Sequence, residues 1–142
     1  MSDFSAFFAE NKIKHENIKY VASRDFVGKD GKPLEWEIRR LDSDEDVQIR
    51  KSCMKQIKVL GRSGATRTEM DTQAYICKMT VASIVYPDLN NKQLQDSYNV
   101  MGAEQLLKKM LAPGEYADLT TKVTEHNGFD VTLSDLVEEA KN

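Results

Sequence analysis

The chain has 142 residues, 40% of them hydrophobic and 30% charged. That is the length of one ordinary domain, long enough to bury a core without disulfides or metal. It is too apolar to be intrinsically disordered, has no apolar run near the ~20 residues a bilayer needs, and at a formal charge of −3 is a poor electrostatic ligand for nucleic acid or anionic membrane.

No basic stretch followed by an apolar one marks a secretory signal, and Cys53 and Cys77 do not form a Cys-x-x-Cys pair. Both fall in helical patterns, so the expectation is reduced, packed thiols in a cytoplasmic protein.

In chain order, Phe4, Phe7 and Phe8 recur at the spacing of one helix face, with Ser2 or Asp3 available as a cap. The three rings are expected to pack on their own domain, with a contact to a second subunit as the alternative. Residues 18–26 are rich in β-formers. Residues 34–41 alternate, with Leu34, Trp36 and Ile38 on one face and Glu35, Glu37 and Arg39 on the other. Asp30 and Gly31 between them predict a turn, hence a β-hairpin with one wet face. Residues 42–46 read as an acidic helix start capped by Ser43, and they lack the spacing of a calcium loop. Residues 56–70 predict a loop or loose hairpin, solvated or docking an acidic partner. They lack the Gly-Lys-Ser/Thr ending of a P-loop.

From Asp71 or Thr72 an almost wholly apolar stretch predicts a central, buried helix continuing to Tyr86, where Pro87 ends it. Asn90 or Asn91 caps a short helix through Tyr98. Residues 100–111 give another, with Ala103, Leu106, Leu107 and Met110 on one face. Pro113 starts a further helix, Gly128 closes it, and Phe129 follows as its apolar cap contact. His126 in its last turn is expected to serve as a cation at the helix dipole. A short amphipathic piece covers 133–140. The predicted fold is α+β: a mainly helical single domain over 1–142, with an N-terminal helix and β-hairpin in 1–41 and a helical part in 42–142.

No catalytic or metal-binding motif is present, and the two histidines cannot build a His-rich site. The chain is therefore expected to be neither an enzyme nor a cofactor carrier. Residues 92–109 resemble a helix-turn-helix, but the would-be recognition helix opens on Ala103 and Glu104 and has no basic footprint. A protein that works by contact remains.

The residue strings then point further. Asn17–Phe26, Gly31–Arg39, Arg50–Cys53, Val85–Asn90, Leu94–Tyr98, Val100–Glu104, Lys108–Tyr116 and Asn127–Asp130 resemble, in order, the XkdN-like phage tail assembly chaperones of phages and prophages of Bacillus-like hosts. The resemblance implies a non-enzymatic cytoplasmic protein that binds the tape measure protein during tail morphogenesis. A second copy of the chain and a frameshifted longer form are further candidate partners. The alternatives are a tail or virion structural protein and a helix-turn-helix regulator. Candidate partner-binding residues are Phe4, Phe7, Phe8, Met101, Leu107, Met110 and Leu111, chosen because a chaperone needs apolar surface that can be exposed or shared and methionine adapts to varied partners; the alternative is that these side chains form the domain's own core.

Overall fold

A computed structural model describes residues 4–61 and 64–129. Among these, five α-helices and five short strands form a mixed α+β arrangement around one core. The predicted amphipathic piece at 133–140 lies outside the described residues.

The N-terminal segment differs from the expectation. Phe4–Phe7 and Ala9–Asn11 form two 3-10 turns rather than an α-helix. A short helix pays its nucleation cost only when it docks on a core, and no residue of either turn is buried. The rings instead meet one another: Phe4 lies 6.0 Å from Phe7 and 5.9 Å from Phe8, the latter edge-on.

The hairpin forms, in shortened shape. Strand β1 (Ile18–Tyr20) runs antiparallel to β2 (Trp36–Ile38), pairing Tyr20 with Trp36 and Ile18 with Ile38. Gly31, at φ +78°, turns the loop between them, where the Gly28 N–H donates to the Lys32 carbonyl at 2.9 Å. Trp36 and Ile38 are buried as the alternation requires. Leu34 is 40% exposed because it precedes the paired segment. On the wet face, Glu37 accepts from Lys19 at 2.6 Å and from Asn17 at 2.9 Å. Those donors hold its carboxyl below the ordinary range.

Helix α1 (Ser43–Ser52) is capped one residue earlier than expected. Asp42, not Ser43, accepts the Glu45 N–H at 2.8 Å, and Glu45 accepts the Asp42 N–H at 3.2 Å. This reciprocal pair places Glu45 at the third helical position, which a Ser43 cap would have given to Asp46. Cys53 lies just past the helix as its buried C-cap rather than within it. The polar stretch that follows forms a two-stranded hairpin, β3 (Met54–Lys58) with β4 (Thr66–Met70).

Helix α2 (Thr72–Ser83), capped by Asp71, is the central helix, packed against α1 and against two later helices. It buries Tyr75, Ile76, Cys77, Met79, Thr80 and Ser83. Thr80 donates its hydroxyl to the Ile76 carbonyl at 2.7 Å, so a polar side chain sits in the core without an unmet donor. The predicted extension to Tyr86 is wrong: Ile84–Tyr86 is strand β5, antiparallel to β2. Pro87 disfavours a helical conformation at Tyr86, and β-branched Ile84 and Val85 suit a strand. Sheet order is β1-β2-β5, so a segment far along the chain completes the N-terminal sheet.

Helix α3 (Lys92–Ser97) is capped by Asn91, α4 (Ala103–Met110) follows Gly102, and α5 (Pro113–His126) opens on its proline. Helix α5 ends as expected. Gly128, at φ +89°, donates to the Glu125 carbonyl at 3.0 Å, and the Phe129 N–H donates to the Thr124 carbonyl at 3.2 Å. These are the two bonds of a Schellman cap, and Phe129 packs against the core. The core joins Trp36 and Ile38 of the sheet to Met79 of α2, Leu106 and Leu107 of α4, and Leu119 and Val123 of α5.

Candidate functional site

Among the described residues, both cysteines and the ring Nε2 of His126 are enclosed. Cys53 and Cys77 are buried and unlinked. Burial pushes the Cys77 thiol up, against a lowering hydrogen bond with Tyr116. A thiol kept protonated is a poor nucleophile. Burial pulls His126 below its ordinary value, with Arg40 as a second cause, and its Nε2 is enclosed without a hydrogen-bond partner. His126 is therefore neutral near pH 7, contrary to the expected cation. The cation at the end of α5 is Arg40, whose Nε donates to the His126 carbonyl at 2.7 Å.

Three of the four acidic residues at the start of α1 are engaged. Asp42 caps, Glu45 holds Arg39 through contacts of 3.1 and 2.7 Å, and Asp46 accepts from Arg50 at 2.8 Å and from the Tyr75 hydroxyl. The Arg50 guanidinium also lies 4.6 Å from the centre of the Tyr75 ring. Burial, then Asp46, pushes the Tyr75 hydroxyl up. Among the described residues no group of three or more metal-ligating side chains converges.

The seven residues singled out for partner binding separate into two sets. Leu107, Met110 and Leu111 belong to the core, because α4 turns its apolar face inward onto α2 and α5. Phe4, Phe7 and Phe8 are 67%, 82% and 49% exposed, and Met101 is 91% exposed. Met101 lies just before α4.

An apolar concavity lies where the sequence raised no expectation of one. It is a groove of about 470 Å³ between the sheet and α3. Trp36 of β2 lines it with Phe26 and Leu34 of the β1–β2 connection. Tyr86 and Pro87, joined by a cis peptide, come from the end of β5. Leu94 and Tyr98 come from α3, and Met110 from the end of α4. Four segments spread over 85 positions contribute, which is why no local pattern announced it. The one early sign was Leu34, in phase with Trp36 yet outside the paired strand. The hydroxyl of Ser97, also in the lining, is taken up by the Leu94 carbonyl at 2.6 Å. The groove therefore offers apolar surface and aromatic edges rather than reacting groups, and suits apolar side chains of a partner.

The described residues form an α+β domain that leaves apolar surface uncovered at the N-terminal rings and in the groove. The chain belongs to the phage XkdN-like tail assembly chaperone family, whose pattern it matches over residues 4–141. It is 31% identical to protein XkdN of the phage-like element PBSX of Bacillus subtilis (strain 168), over 99% of this chain and 94% of that one. It is 30% identical to YqbN of the same strain, over 99% and 93% of the two chains. The crystal structure of YqbN superposes with a TM-score of 0.75 at 26% identity, covering 92% of this chain and 99% of that one.

Proposed function

We propose that this chaperone binds the tape measure protein of its tail in the host cytoplasm, without catalysis, and keeps that protein's apolar helical surfaces soluble until the tube assembles around it. The observation that carries the reading is uncovered apolar surface of two kinds: the turn bearing Phe4, Phe7 and Phe8, and the groove between the sheet and α3. Met101 adds an adaptable exposed contact. Met110 reaches the groove from the core, whereas Leu107 and Leu111 are buried in that core and offer no surface. An amphipathic helix laid into an apolar groove is a common recognition mode, with anchors at helical spacing.

The test is co-expression with the tape measure protein encoded nearby, scored on the soluble yield of that protein. The expected result is a soluble complex. Phe7→Asp and Tyr86→Asp are each expected to weaken it while leaving the circular dichroism spectrum unchanged, because both side chains are exposed. Equal solubility of the tape measure protein without the chaperone overturns the reading. Stoichiometric recovery of the chain in purified tails would assign it to the structure of the tail instead.

A further inference from the structure

The β3–β4 hairpin has an open outer edge on each side, since no third described strand joins it. Its hydrogen-bond phase fixes what those edges offer. The Asp71 N–H donates to Cys53 at 2.8 Å and the Val59 N–H to Ala65 at 3.1 Å. With the observed register, the inward-bonded pairs are Cys53 with Asp71, Lys55 with Glu69, Ile57 with Arg67, and Val59 with Ala65. The intervening residues turn their main-chain N–H and C=O outward: Met54, Gln56 and Lys58 on β3, and Thr66, Thr68 and Met70 on β4.

The two edges differ in charge. Strand β3 carries Lys55 and Lys58 and no carboxylate, the usual protection of an exposed edge. Strand β4 carries Arg67 and Glu69 at equal distances on either side of Thr68. Both side chains are exposed, and they pair with each other along their own strand at 3.2 Å.

We propose that the outer edge of β4 recognises a second copy of itself. Two copies pair antiparallel about a two-fold axis through Thr68, giving a four-stranded sheet. In that register Thr68 faces Thr68 of the other copy, and Thr66 faces Met70, all with outward main-chain groups as the ladder requires. Arg67 of each copy faces Glu69 of the other in the wider-bonded positions, where opposed side chains approach most closely. Hydrogen-bond phase and charge therefore select the same register. This edge is separate from the apolar groove, so its failure and that of the tape measure reading are distinguishable.

Cysteine crosslinking of the full chain tests the register, because native Cys53 and Cys77 are buried. Thr68→Cys places two thiols on the axis with Cα atoms about 5.5 Å apart, within disulfide range. Thr66→Cys places them about 14 Å apart along the strands. Mild oxidation is expected to dimerise the Thr68→Cys variant and not the Thr66→Cys variant. Equal crosslinking at both positions overturns the proposal, and so does dimerisation of a Gln56→Cys variant, which would mean that β3 pairs instead. Sedimentation of the chain with its native residues should show a dimer that Arg67→Glu weakens by about tenfold in Kd, through two like-charge pairs. An Arg67→Glu variant that associates as tightly overturns it as well.

Discussion

The Oδ1 of Asn127 accepts the main-chain N–H of Leu41 at 2.7 Å, across 86 residues of chain. The same amide donates to Ser83 Oγ at 3.1 Å and to the Val123 carbonyl at 2.9 Å. One side chain thus ties the exit of β2, the end of α2 and the end of α5 together. Asn127→Ala leaves the Leu41 donor and the buried Ser83 hydroxyl without this partner. The expected loss is about 2 kcal/mol, read as a lower midpoint of urea unfolding. A loss below about 0.5 kcal/mol would show that the amide does not join these ends.

The helix start separates two adjacent residues. Asp42→Ala removes the cap of α1 and should cost about 1 kcal/mol, whereas Ser43→Ala should stay within about 0.5 kcal/mol. Equal losses at the two positions would contradict the observed capping box.

The apolar residues named for partner binding divide by burial. Leu107→Ala opens a cavity between α4 and the rest of the core and should cost about 2–5 kcal/mol. Met101→Ala removes an exposed side chain and should change stability by less than about 0.5 kcal/mol. Thermal unfolding of both variants checks this, and a stable Leu107→Ala protein would place α4 wrongly.

His126 gives stability a pH dependence of definite sign. Its folded value lies below the ordinary 6.5 because burial, Arg40, His15 and Lys122 all disfavour the charged form. The unfolded chain therefore binds more protons in the window just below pH 6.5. The His126 contribution is complete above that window and is lost as pH falls through it. Carboxyls held low, such as Glu45 beside Arg39, lose theirs only below about pH 4.5. Urea midpoints measured between about pH 7.5 and 5 should decline for the native chain and stay flatter for His126→Phe. Identical slopes would exclude His126 as the cause.

Much of the architecture was legible because its signals are local. The Asp30-Gly31 turn, the alternation at Trp36 and Ile38, Asn91 as a cap, Pro113 as an opening residue and Gly128 with Phe129 as a Schellman end all depend on neighbours a few positions away. Errors arose where a local pattern competed with a distant partner. Ile84–Tyr86 reads as helix by composition, but β2 lacked a neighbour on its open side and Pro87 favoured extended backbone. His126 reads as a helix-terminal cation until Arg40 arrives from the connection after β2 to take that place.

The sequence by itself determined the class of the fold, the order of most elements and, through its residue strings, the chaperone family. The apolar residues that stay uncovered were decided only in three dimensions. Periodicity reports that α4 has an apolar face, and by the same rule that the rings near the N-terminus share one. Which face meets a core depends on what the rest of the chain places opposite it. Leu107 and Met110 found α2 and α5, while the ring contacts of Phe4, Phe7 and Phe8 among the described residues are with one another. The groove exists because Phe26, Trp36, Tyr86 and Tyr98 converge from separate segments, and convergence of that kind leaves no trace in local spacing.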